Sequence, residues 1–233
     1  MNRGGEVDIM ERHFDKELNK LRENLSNMAA LVESMIDDAI KALIERKEET
    51  LGNIFNNEAE VNKKHIEVDE ICLKLLALHQ PTAVDLRLIT SAMKINSELE
   101  RIGDQAVNIS QNTSSLVKQP FFVQLSIIPQ MTEITKSMVK DSIKAFITKD
   151  PDVAKNILLR DEKVDNLKQE VFKKIINYII ENPAQTEYFI DLLLISRNLE
   201  KIADHTTNIA EDVIFMILGK DIRHHHLFDE HKT

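Results

Sequence analysis

Glu100, Asp104 and Asn108 are spaced by four, and Glu200, Asp204 and Asn208 repeat that spacing one hundred residues later. On a helix such a spacing stacks each trio along one face. Two carboxylates held there repel each other by about 0.2–0.5 kcal/mol when exposed, and a cation placed between them removes that cost. Asp161 and Asp165 form a further acidic pair at the same spacing, and the matching positions in the first half hold Glu58 and Asn62. If the helices that carry them are neighbours, oxygen-bearing side chains meet in two places. One group is Glu58, Asn62, Glu100 and Asp104; the other is Asp161, Asp165, Glu200 and Asp204. Oxygen donors without a cysteine suit a hard or borderline ion such as iron, manganese, magnesium, calcium or zinc. With Asn62 in place of a carboxylate, the first group is expected to be the weaker. The competing explanation is a solvated helix face balanced by neighbours such as Arg101 and Lys201.

Other chemistry is thin. His205 follows Asp204 and could extend a metal site or simply hydrogen-bond at the surface. His65 and His79 fall on or near an apolar stripe, where histidines are commonly satisfied core residues. His224 to His226 follow the last helical pattern and belong to a tail. The chain has no glycine-rich phosphate loop, no serine or cysteine nucleophile motif and no Glu-x-x-His pair. An NTPase, a hydrolase and a ferritin-like di-iron oxidase are therefore disfavoured, and no enzyme activity is expected.

The elements that must position these residues are helices. Glycine and proline number only five each and there is no tryptophan, whereas apolar residues recur at threes and fours, as in Val61, Val68, Cys72 and Leu75 or Leu99, Ile102, Ala106 and Ile109. The pattern predicts an all-α fold of six helices, at about 10–48, 51–79, 82–117, 129–149, 152–181 and 184–218. Thr82 with Asp85 reads as a capping box, and Asp150 and Asn182 each precede a proline suited to a first helical turn. The gap 118–128 contains Pro120 and an apolar Phe-Phe-Val run and is followed by Pro129, which predicts a packed connection rather than a tether.

Sliding the sequence by 103 sets Met35, Asp38, Ile40, Ala42 and Val61 on Met138, Asp141, Ile143, Ala145 and Val164. Further along, an offset of 100 sets Leu99, Glu100, Ile102, Asp104 and Asn108 on Leu199, Glu200, Ile202, Asp204 and Asn208. The chain is thus expected to be two homologous three-helix bundles, a first repeat over 1–120, a second over 121–223 and a tail over 224–233. Core residues recur because both units must pack. The recurring polar stripe has no such packing reason. Gly103 and Ala203 occupy equivalent places, which asks for a small residue beside the acidic face.

A net charge of −9 repels phosphate backbones and anionic headgroups, so nucleic acid is not an expected partner. The single cysteine, Cys72, sits in an apolar pattern, as suits a buried thiol in a reducing cytosol. No run of about 18 uncharged apolar residues occurs, so membrane contact is expected only through protein partners.

Several of these segments together resemble the PhoU family. In the first half they are Gln80-Pro-Thr-Ala-Val-Asp-Leu-Arg87 and Leu99-Glu-Arg-Ile-Gly-Asp104. In the second they are Ser196-Arg-Asn-Leu-Glu-Lys-Ile-Ala-Asp-His205, Asn208-Ile-Ala-Glu211 and the closing Gly219 to His224. The resemblance implies a cytoplasmic, often dimeric regulator linking a high-affinity phosphate ABC transporter to a sensor histidine kinase. Such a protein restrains uptake and the phosphate-starvation response without catalysis. An accessory protein serving another phosphate carrier or stress tolerance is the alternative it admits. The family's metal-associated Glu/Asp-x-x-x-Asp motif falls on Glu100, Asp104, Glu200 and Asp204, and less closely on Asp161 and Asp165. Lys201 for Arg, Ala203 for Gly and Asn62 for an acid depart from strict symmetry.

Overall fold

A computed structural model describes residues 3–123 and 126–222, with side chains from Phe14 onward. The described residues form six α-helices and two short 3₁₀ turns, with no strand. The helices are α1 (Arg3–Glu45), α2 (Ile54–His79), α3 (Ala83–Lys118), α4 (Ile127–Thr148), α5 (Pro151–Glu181) and α6 (Thr186–Leu218). The 3₁₀ turns, Glu48–Asn53 and Pro183–Gln185, precede α2 and α6.

Local chemistry sets most boundaries. Asp150 caps α5 as expected: its Oδ1 accepts from the amides of Asp152 and Val153 at 2.9 and 3.2 Å, and Pro151 occupies the first turn. The other two expected caps differ. Thr82 Oγ1 donates to Asp85 Oδ2 at 2.7 Å instead of accepting from the backbone, and Asn182 Nδ2 donates back to Tyr178 O. Helix α2 begins at Ile54 rather than 51 because the chain first makes a 3₁₀ turn that buries Leu51. Helix α4 begins two residues before Pro129, whose ring is tolerated in a first turn.

Within each half the three helices pack against one another, but α3 and α6 make the broadest contact in the molecule. They run antiparallel. Arg87 Nε of α3 donates to Met216 O of α6 at 3.3 Å, Lys94 pairs with Asp212 at 2.8 Å, and Glu98 meets His205 at 2.7 Å. One continuous core therefore runs through both repeats, with Ile95, Leu99, Ile102, Ile195, Leu199 and Ile202 fully buried. The repeats are two halves of one packed body.

The connection between halves is tied down at Val123 rather than packed throughout, for Phe121 and Phe122 stay exposed. Tyr188 OH donates to Val123 O at 3.1 Å, and the Arg46 guanidinium lies 5.7 Å from the Phe121 ring centre. Arg46 also donates to the carbonyls of Leu116, Val117 and Gln119, so it caps the end of α3 from the end of α1. Cys72 is buried, and burial pushes its thiol up to about 12, as expected of an inert group. Gly103 turns inward, where an added Cβ would lie 3.6 Å from Val32 and Val61, so it faces the α1/α2 contact and not the acidic stripe.

Candidate functional site

Helices α5 and α6 are adjacent and antiparallel, and they bring the second acidic group together. Lys168 Nζ of α5 donates to Glu200 Oε1 of α6 at 2.6 Å, which fixes the register. To one side of that contact lie Asp165 and Asp161 on α5 and Asp204 on α6, half-buried or exposed along the outer face. Partial burial, and then the charges of Asp165, Asp204 and Glu200, push the Asp161 carboxyl from 3.8 up to about 6. Asp204 is also raised, by burial first and then by Glu200 and Asp165, with His205 and Lys168 pulling the other way. The four predicted carboxylates thus form one interacting set with a surplus of negative charge.

The first group is different. Glu58, Asn62, Glu100 and Asp104 lie on the outer faces of α2 and α3, half-buried or exposed, and none of them forms a side-chain hydrogen bond or ion pair with a described residue. Nor does the expected balancing by Arg101 occur. Arg101 turns to Glu98 at 2.8 Å, and the cation that neutralises part of the second group is Lys168. The carboxylates of the second half fit a hard cation in donor type and in charge. They are arrayed along a strip, however, and among the described residues no three His, Cys, Asp or Glu side chains close around one point. His224 to His226 lie outside the described residues.

Two members of the predicted constellation serve elsewhere. His205 Nδ1 is 2.7 Å from Glu98 Oε2, and Asn208 Nδ2 donates to the same oxygen at 3.2 Å. Both therefore join α6 to α3. Burial alone would raise Glu98, which is only 8% exposed, but the hydrogen bonds from His205 and Asn208 and the charges of His205 and Arg101 hold its carboxyl below the ordinary value. Comparing the repeats passes over Glu98 because its counterpart is Asn198 and that of His205 is Gln105. The pair is carboxylate and imidazole on one side of the pseudo-twofold and amide on the other. A glutamate in an inward register, flanked by Ile95 and Leu99, is the signal that would have found it.

The PhoU domain model matches residues 25–113 and again 128–213, one copy in each half. The phosphate-specific transport system accessory protein PhoU homologue of Aquifex aeolicus is 34% identical over 91% of this chain and 96% of its own length. The homologue of the same name from Zymomonas mobilis is 32% identical over 95% of this chain and 94% of its own. Among solved structures, PhoU from Pseudomonas aeruginosa superposes with a TM-score of 0.85 at 31% identity, covering 89% of this chain and all of that one. The phosphate transport system regulatory protein PhoU of Streptococcus pneumoniae gives 0.83 at 28% identity, over 89% and 98%. With six helices in two repeats, a motif match in each repeat and near full-length likeness to these proteins, the chain belongs to the PhoU domain family.

Proposed function

We propose that this protein is a cytoplasmic accessory regulator of phosphate uptake. In abundant phosphate it restrains a phosphate ABC transporter and the phosphate-starvation response of a sensor histidine kinase, acting through protein contacts and as a homodimer. The observation that carries this reading is likeness along more than nine-tenths of the chain to accessory proteins of phosphate-specific transport. The absence of a nucleophile motif and of any described helix long and apolar enough to cross a membrane accords with a regulator acting by contact. Deleting the gene is expected to derepress phosphate-scavenging genes in phosphate-rich medium, read by a reporter. Unchanged repression would count against the reading.

The second part of the proposal is that Asp161, Asp165, Glu200 and Asp204 hold iron, manganese, magnesium or zinc, with Glu58, Asn62, Glu100 and Asp104 as a weaker second site. A bound cation would neutralise the charge surplus that adds to burial in raising Asp161. Elemental analysis of protein purified without chelator is expected to show metal that Asp204→Ala reduces strongly and Asp104→Ala reduces less. Equal content in wild type and both variants would remove the metal assignment and leave the regulatory one.

A further inference from the structure

The two repeats part company along their outer seams. In the first half Asp69 of α2 accepts from Asn96 Nδ2 of α3 at 3.0 Å and lies 3.5 Å from His65, so polar side chains close the α2/α3 seam. At the equivalent places in the second half stand Phe172 and Ser196. Ser196 turns its hydroxyl back to Leu193 O at 2.8 Å, too short to bridge the helices. The α5/α6 seam consequently stays open as a cavity of about 410 Å³ whose walls include Lys168, Phe172, Lys173, Leu193 and Arg197.

The cavity's lining is almost wholly apolar, so the lysines and the arginine present their carbon stems to it and their charged heads to the rim. Phe172 is 49% exposed, and exposed Ile176, Ile180 and Ile190 continue the apolar track toward the α5/α6 turn. Lys173 and Arg197 form no hydrogen bond or ion pair with a described residue. Two cations without a described partner stand over an apolar trough on a chain of net charge −9, and they select by charge what can lie there.

We propose that the α5/α6 groove docks an acidic amphipathic segment of a partner protein. Apolar side chains of that segment seat on Phe172, Leu193 and Ile176, and its carboxylates pair with Lys173 and Arg197, the latter through its planar fork. Lys168 walls the same groove and bonds Glu200, so the docking surface abuts the carboxylate strip. The proposal rests on the reading of the protein as a contact-based regulator and says which face makes a contact.

The test uses fluorescence polarisation of a dye-labelled synthetic helical peptide with leucines at i, i+4 and i+7 flanked by glutamates. A second peptide has lysines in place of the glutamates. The full-length protein is expected to bind the acidic peptide saturably and the basic one far more weakly. Phe172→Glu, Lys173→Glu and Arg197→Glu should each weaken binding by about tenfold or more, while Lys155→Glu, outside the groove, leaves it unchanged. Circular dichroism confirms that the variants fold, and the two rim variants keep the test decisive if Phe172→Glu does not. Equal binding of both peptides, or insensitivity to the groove variants, overturns the proposal. So does self-association in sedimentation analysis that Phe172→Glu abolishes, because a second copy would then be the occupant. If gene deletion derepresses but Arg197→Glu complements fully, the groove assignment fails and the regulatory reading stands; if deletion has no effect, it is the regulatory reading that fails.

Discussion

Among single residues, the two most informative carboxyls respond to pH in opposite directions. Asp161 is raised from 3.8 to about 6, so its charge opposes folding above about pH 6, and that penalty is relieved as pH falls toward 4. Its site is half-buried and screened, so Asp161→Asn in chelator is expected to stabilise by about 1 kcal/mol at pH 7.5, or about 2–4 °C in Tm, and by little at pH 4. A Tm difference that is the same at both pH values would contradict the charge argument. Glu98 is held below its ordinary 4.5, so its contribution is present above that value and lost as pH falls through and below it. His205→Ala leaves Glu98 buried with fewer partners and should cost about 1–3 kcal/mol by denaturant titration, with Glu98→Gln in the same chain recovering part. Loss of stability without any recovery would mean that His205 matters for packing alone.

For the helices, the paired positions Gly103 and Ala203 make a direct comparison. The sequence suggests that a small residue is needed beside the acids, whereas the Cβ that Gly103 lacks would make ordinary contacts at 3.6 Å with Val32 and Val61. Since Ala203 is accepted at the equivalent place, Gly103→Ala is expected to stabilise α3 by about 0.5–1 kcal/mol through reduced chain entropy. A lower denaturation midpoint would show that the gain in helix propensity is outweighed by the added packing against Val32 and Val61. Helix existence was legible from apolar spacing because burying one face is a local pattern. Boundaries were less so: the 3₁₀ turn over Glu48–Asn53 and the missing caps at Thr82 and Asn182 depend on which backbone groups neighbouring elements leave unsatisfied.

At the scale of the whole molecule, the α3/α6 contact makes two repeats into one body. Because Arg87, Lys94 and Glu98 all tie α3 to α6 across the pseudo-twofold, the halves should unfold together. Scanning calorimetry is expected to give one transition with matching calorimetric and van 't Hoff enthalpies, and two resolved transitions would contradict this. The symmetry is nonetheless broken at the acidic strip and the outer seam. Charge is concentrated in the second half at Asp161, Asp165, Glu200 and Asp204, and only there does Phe172 replace a seam-closing aspartate.

The sequence by itself determined the helical class, the duplication and the acidic stripe, since each is a periodicity or a recurrence along the chain. It also marked the second half as the richer in carboxylates, because Asn62 stands opposite Asp165. Tertiary structure alone decided that Lys168 compensates the second strip while Arg101 turns from the first to Glu98, that His205 and Asn208 serve the α3/α6 seam, and that Gly103 faces inward. Helical spacing says which side chains share a face but not which helix that face meets. That depends on the packing of both repeats into a single core.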